Sequence, residues 1–331
     1  MRGVSALGVA AYHMSLWGGA ELAPALKAVL TVFGTYGVSV FFILSGYSLA
    51  HAYDGDFPGR IESRPLMAYF RRRIGRLGPM FVVVVLASLM GKWLLRAQIP
   101  AWLPTLANLT LLFGFVNPAV TPVIGGWSIG VEVVFYVAFP LLLVMRDRAK
   151  LSLLCAVLFS AWISVDLAQN ASLGDGWLLY VNPANHWIFF CAGVYARLNW
   201  QKLRIGDRLA KLLMALAGCA VIAVGWGVTE LEIVTGWRRA VLVVLSVALV
   251  SLAAALPAPG RRGQAICALA GGISYPLYLI HPLLYFAFRG RIDTAAAAGW
   301  GAMLLSAVAI ALLADRYFDA LIQRRIKQRG W

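Results

Sequence analysis

Charge is what this sequence has least of. Only 14 of its 331 residues are Asp or Glu, charged residues of all kinds make up 13%, and 61% are hydrophobic. With a mean hydropathy of +0.78, that balance excludes a soluble globular chain. Cysteine is scarce as well: Cys155, Cys191, Cys219 and Cys267 stand singly in apolar stretches, with no pair at metal-ligand spacing and no clustering in loops. No metal is therefore expected, and all four read as packing residues, since an isolated buried Cys behaves as a small hydrophobe. There is no internal repeat, low-complexity tract or heptad pattern, so solenoid and coiled-coil architectures have nothing to rest on. Basic residues are in excess, 29 against 14, giving a net charge of +15. They sit in short clusters between apolar runs rather than on an aromatic-interleaved polar surface, which argues against a nucleic-acid partner and for the loops of a membrane protein in a lipid bilayer.

What is present is a succession of long apolar runs. Crossing a hydrocarbon core about 30 Å thick takes roughly 20 residues. Hydropathy places candidate spans near 2–18, 30–51, 77–96, 127–145, 151–168, 186–200, 212–228, 238–256, 268–288 and 296–318. This is an all-α, polytopic integral membrane bundle of about ten helices, with residues 1–331 as a single domain, because the remaining residues suffice only for loops and tails. Arg2 ahead of the first run imitates a signal peptide. His13 inside that run and the lack of a small-x-small cleavage site make it a first span instead. The stretch from Pro100 to Pro122 is apolar too, but Pro100, Pro104, Pro118 and Pro122 interrupt it, so an interfacial or re-entrant segment is expected there. With both termini cytoplasmic, only Lys27, Lys92, Arg96, Arg238, Arg239, Arg289 and Arg291 of the 29 basic residues fall outside, in keeping with the positive-inside bias.

Polar residues at depth carry the functional information, because each is unfavourable in hydrocarbon and is usually kept for a pathway or a reaction. Arg2 and His13 are eleven residues apart, about 20° from three full turns, and share one face of the first span. The Arg is then at the inner mouth of a cleft and the His near mid-bilayer; the alternatives are a topology anchor and a satisfied bundle histidine. In GGWSIGVEVVFY, Ser128, Glu132, Phe135 and Phe139 line one face. Glu132 is the only carboxylate well inside a span, so it needs a cationic or hydrogen-bonding partner or a proton; an interhelical structural bond is the alternative. In ISYPLYLIHP, Ser274, Tyr278 and His281 form a stripe, and His281 beside Pro282 is equally placed to satisfy a carbonyl that the proline frees. Ser45 and Gly46 in FFILSGY suit close helix packing. Arg71, Arg72, Arg73 and Arg76 crowd the entry to the third span, where topology and binding of a polyanionic ligand account for them equally. His51, His186, Asp166 and Asp315 lie near span ends and read as interfacial.

The order of these elements resembles the membrane-bound acyltransferase family 3, the bacterial integral-membrane O-acyltransferases. Arg2, Gly3, Ala6, Leu7 and His13 match its opening, and Phe41 to Tyr47 its Phe-Phe-x-Leu-Ser-Gly-aromatic element. Arg71 to Pro79 match its arginine-rich entry. Trp127, Ser128, Glu132, Phe135 and Tyr136 match its Trp-Ser-x-x-x-Glu-x-x-Phe-Tyr, and Ser274 to Pro282 its Ser-Tyr-x-x-Tyr-x-x-His-Pro. No one element is specific, but five in order from end to end are. The family usually carries residues before its Arg, often ending Leu-Asp-x-Leu, whereas this chain starts at Met1, which reads as a trimmed or misassigned start. Some members add an extracytoplasmic hydrolase-like domain, for which there is no room, so a stand-alone transferase is expected.

The resemblance implies an acyl-CoA-dependent O-acyltransferase of the bacterial inner membrane. It would move an acyl group, most often acetyl, from cytoplasmic acyl-CoA to a hydroxyl of a cell-surface polysaccharide, lipid-linked saccharide or similar acceptor. His13 would be general base or transient acyl carrier, and Glu132 a second catalytic residue. Arg2, Arg71, Arg72, Arg73 and Arg76 would hold the donor's phosphates, and Ser45, Trp127, Ser128, Tyr278 and His281 would line the acceptor side. The alternative is a transporter or flippase of a lipid-linked saccharide with a His/Glu proton relay.

The orientation is directly testable with single cysteines in a cysteine-free variant. The 169–184 loop, which has no Lys or Arg, is expected to react with an impermeant maleimide on intact cells, and the 197–211 loop, which has five, to stay unlabelled. The reverse pattern would invert the bundle.

Overall fold

A computed structural model describes residues 1–57, 60–199, 205–319 and 321–322. Lys202, Arg204, Arg324, Arg325, Lys327 and Arg329, counted among the cytoplasmic charges, lie outside the described residues. No strand occurs among those described. In chain order the helices are α1 (Arg2–Gly18), α2 (Pro24–Tyr53), α3 (Ser63–Leu94), α4 (Trp102–Leu109), α5 (Phe113–Val116), α6 (Trp127–Val144) and α7 (Ala149–Leu167). They continue with α8 (Trp177–Tyr180), α9 (Pro183–Asn199), α10 (Asp207–Val224), α11 (Glu230–Ile233), α12 (Gly236–Ala255), α13 (Arg261–Phe288) and α14 (Ala297–Ala314). A helix stands at each of the ten expected spans. Among the described residues seven, α2, α3, α6, α7, α12, α13 and α14, are long and apolar enough to cross a membrane. The other three, α1, α9 and α10, have 17, 17 and 18 residues.

Hydropathy underestimates several helices, because it detects only the part that sits in hydrocarbon. The third begins at Ser63 rather than near 77, so the arginine cluster lies within the helix, not in a loop before it. Arginine is a good helix former, and 32 residues extend about 48 Å, well beyond the hydrocarbon core. The proline-interrupted stretch forms α4 and α5, of eight and four residues, broken where Leu111 takes a left-handed φ of 63°. Neither is long enough to cross.

Outward faces are apolar: Trp162 and Val165 are 61% exposed, Val244 67% and Leu305 71%. Such faces suit lipid, not water. Of the cysteines only Cys191 is buried; Cys155, Cys219 and Cys267 lie on exposed faces, correcting the reading of all four as packing residues. In a helix at a lipid boundary, hydropathy does not separate inward from outward positions.

The bundle is organised around α2, which packs on α1, α9 and α12, while α1 is held between α2 and α13. The α2–α9 contact is close because two glycines face each other's backbones. A Cβ on Gly46 would overlap the carbonyl of Phe190, and one on Gly193 the carbonyl of Ile43. Packing is therefore the role of Gly46, as its small-residue context suggests, and it fixes the neighbouring Ser45 toward the interior.

Candidate active site

Three polar groups, each joining two helices, stand out in the interior around the residues singled out by sequence. The first joins α1 to α13. His13 Nδ1 and His281 Nε2 are 3.0 Å apart, and His281 Nδ1 meets the carbonyl of Leu277 at 3.0 Å, one residue before Tyr278, whose carbonyl is the one that Pro282 leaves without an N–H. His281 is fully buried and thus both satisfies a carbonyl and holds His13. A carbonyl only accepts, so the Nδ1 of His281 carries a proton. In a neutral pair, the Nε2 of His281 then accepts from the Nδ1–H of His13, leaving His13 Nε2 with a bare lone pair. Trp17, one turn beyond His13, stacks on its ring with centroids 4.8 Å apart and planes 2° from parallel. Spacing of four residues is the signal that would have found Trp17.

The second group joins α2 to α6. Glu132 Oε1 accepts from the Ser45 hydroxyl at 2.8 Å and from the Tyr136 hydroxyl at 2.6 Å. Of the partners open to Glu132, the structure supplies hydroxyls. None of the three ion pairs among the described residues, Arg60–Glu62, Arg146–Asp54 and Arg238–Glu232, involves it. Tyr136 stands in the same sequence element one turn after Glu132, a partner the spacing already offered.

The third joins α6 to α13. The Tyr278 hydroxyl donates to the carbonyl of Gly125 at 2.8 Å and lies 2.9 Å from Ser128 Oγ. Gly125 has φ 79°, which an L side chain rarely adopts; the Gly-Gly before Trp127 permits this turn and aims its carbonyl at Tyr278.

A cavity of about 50 Å³ connects the second and third groups. Arg2, Arg76, Glu132, Tyr136, Ser128, Ser274 and Tyr278 line it, with Phe41 among its apolar walls. Room for a few water-sized groups follows. Two guanidiniums and one carboxylate thus face a common space, with Arg2 Nη2 3.4 Å from Ser48 Oγ. The arginines expected to act together are divided. Arg76 reaches the cavity; Arg73 donates to the Tyr53 hydroxyl at 3.3 Å; Arg72 lies exposed with its guanidinium 6.0 Å from the Tyr53 ring; Arg71 is exposed.

Arg2 lines this cavity and His13 does not; Tyr278, at the cavity wall, has its ring centroid 6.1 Å from that of His281 and 6.0 Å from that of Phe41, so it stands next to the histidine pair. Trp127 is not at the wall either. It is 6% exposed and packs on His186, Tyr180 and Trp177. His186, expected at the interface, is 1% exposed and donates from Nε2 to the carbonyl of Tyr180 at 2.7 Å. The helix α9 begins within the bundle, so its first turn is not a wet end.

Sequence reasoning also missed Tyr12, whose hydroxyl donates to Glu230 Oε1 at 2.9 Å. Glu230 opens α11, a single turn capped by Thr229 and Glu232. Hydrogen bonds from the Thr229 N–H and hydroxyl hold the Glu232 carboxyl below its usual carboxylate range.

The chain belongs to the acyltransferase 3 family, whose acyltransferase domain matches residues 1–316, so this is a multi-pass membrane acyltransferase. It is similar to acyltransferase MdmB of Streptomyces mycarofaciens, at 25% identity over 98% of this chain and 89% of that protein. It is also similar to nodulation protein 10 of Rhizobium leguminosarum bv. viciae, at 27% identity over 89% of this chain and 86% of that protein. No solved structure gives a significant match. Acyl transfer, and not transport, is the chemistry the family supports, and no group of three or more potential metal ligands occurs among the described residues.

Glu132→Gln separates charge from structure, because a Gln carbonyl can accept both hydroxyl bonds. Turnover is expected to fall about tenfold or more with little change in thermal midpoint. Glu132→Ala, which strips two buried hydroxyls of their acceptor, is expected to destabilise by about 1–3 kcal/mol or more. If Gln is as destabilising as Ala, the carboxylate's role is structural.

Proposed function

We propose that the protein transfers an acyl group, acetyl in the first instance, from cytoplasmic acyl-CoA to a hydroxyl of a cell-surface glycan, lipid-linked saccharide or similar acceptor in the bacterial inner membrane. The observation that carries this reading is the bare Nε2 that the Leu277–His281–His13 chain leaves on a neutral His13. In a site poor in water, a fixed lone pair is a general base with no solvent competitor. The charge bias of the loops supports a cytoplasmic N-terminus, with all ten long helices crossing and both termini inside. In that orientation Arg2 and Arg76 face the cytoplasmic side of the cavity, with Arg72 one turn nearer the mouth. Guanidiniums so placed suit the phosphates of acyl-CoA.

The reaction balances without a metal. The acceptor hydroxyl gives its proton to His13 Nε2 as its oxygen attacks the thioester carbonyl carbon. The C–S bond then breaks, and the thiolate takes the proton back from the imidazolium. Such a base contributes about 10²–10⁴-fold, and fixing the two substrates together contributes further. Glu132 balances the arginines across the cavity, and Ser45 and Tyr136 hold it in place. Tyr278 must swing out of its bonds to Gly125 and Ser128 for the thioester to reach His13.

Purified protein with acetyl-CoA and candidate glycans is expected to release CoA only when an acceptor is present. His13→Ala is expected to abolish that release in a protein that still expresses and folds, with a lowered thermal midpoint because buried His281 loses its partner, and Arg76→Gln to raise the donor KM more than the acceptor KM. Full activity in a folded His13→Ala protein would remove His13 from the mechanism.

A further inference from the structure

Arg239 was expected in an outer loop, yet it is 5% exposed, in the first turn of α12. Its guanidinium donates from Nε and Nη2 to Ser160 Oγ at 3.2 and 2.7 Å, from Nη2 to the carbonyl of Asn185 at 2.7 Å, and from Nη1 to that of Val234 at 3.1 Å. Every acceptor is neutral, and none of the ion pairs among the described residues includes Arg239. A buried cation is ordinarily paired with an anion; this one has only neutral acceptors and the Phe189 ring, whose centroid lies 5.8 Å from its Cζ. One of the five guanidinium N–H groups is also unassigned.

Two further observations converge on the same place. Ser160 and Ser164, buried one turn apart on α7, act only as acceptors, Ser164 from the N–H of Gly236 at 3.1 Å. Each keeps an O–H to donate. Arg239 and both serines lie in a lateral groove of about 550 Å³ between α7 and α12, walled by Val157, Val165, Val243 and Val244. The groove follows α7 for about 12 Å. Gln169 and Gly236 line its end where α7 finishes and α12 starts; Ser164 and Ser160 lie about 5 and 10 Å inside the end of α7, and Arg239 about 5 Å along α12 from Gly236.

We infer that this groove binds an anionic phospholipid of the bilayer, its phosphate on Arg239, Ser160 and Ser164 and an acyl chain along the valine walls. Charge complementarity selects an anion, since the site holds one cation and two spare hydroxyl donors and no carboxylate pairs with it. The valine walls select an anion that carries an apolar chain. Through the Asn185 carbonyl and the Tyr36 hydroxyl, which donates to the Arg239 carbonyl at 3.3 Å, the lipid fastens α7, α9 and α12 to α2. The inference does not depend on the acyl-transfer reading.

The test is the thermal midpoint of the full chain in a neutral detergent, titrated with phosphatidylglycerol, with phosphatidylcholine, or with inorganic phosphate. Phosphatidylglycerol alone is expected to raise it by several degrees. Ala161→Phe fills the groove from its exposed wall without touching the hydrogen bonds. It is expected to leave the detergent-only midpoint unchanged and to abolish the lipid shift; Arg239→Gln, where it folds, is expected to abolish it too. Equal shifts with both lipids, a shift with inorganic phosphate alone, or an undiminished shift in Ala161→Phe would overturn the site.

Discussion

Inside a bilayer there is no water to complete a hydrogen bond, so a polar side chain carried inward by one helix must find its partner within the protein. That constraint organises the whole interior of this bundle. His13 is completed by His281, Glu132 by Ser45 and Tyr136, Tyr278 by Gly125 and Ser128, and Arg239 by Ser160, Asn185 and Val234. These bonds tie α1 to α13, α2 to α6, α6 to α13 and α12 to α7 and α9. The groups that have chemical potential are therefore also those that set how the helices meet.

The same bonds sort the polar interior into two neighbouring clusters. On one side of Tyr278 is a cavity lined by two guanidiniums and a carboxylate; on the other is the His13–His281 imidazole pair stacked on Trp17. A charged donor and an uncharged hydroxyl call for different surroundings, and on the proposed mechanism each cluster serves one of them. Tyr278, bonded to Gly125 and Ser128 and in ring contact with His281, is the residue that the two share.

How much of this the sequence discloses depends on whether a signal is local. Periodicity and hydropathy place a helix at each of the ten expected spans and a broken segment between Pro100 and Pro122, because those properties belong to one run of residues. His13, Glu132, Ser128, Tyr278 and His281 are visible as polar residues at depth, and spacing alone puts Glu132 beside Tyr136 and His13 beside Trp17. Partners on distant helices are not visible: nothing near His13 names His281, 268 residues away. Arg239 misleads because it is the fourth residue of its helix, where an arginine reads as a loop charge, and His186 misleads for the same reason. The arginine cluster was legible as a cluster but not as a division of labour: Arg71 lies on another face of the helix, Arg72 shares the face of Arg76 but stands one turn nearer the surface, and only Arg76 reaches the cavity.

The central claim is that His281, anchored to Leu277, fixes which nitrogen of His13 is free. The chain has only 4 histidines, so a protein labelled with ¹⁵N in its imidazoles gives a spectrum simple enough to assign by single substitution. At neutral pH the His13 ring is expected as the Nδ1–H tautomer, with an unprotonated Nε2, and His281 likewise as Nδ1–H. A His13 ring carrying its proton on Nε2, or protonated on both nitrogens, would contradict the account, because it would leave no base facing the acceptor.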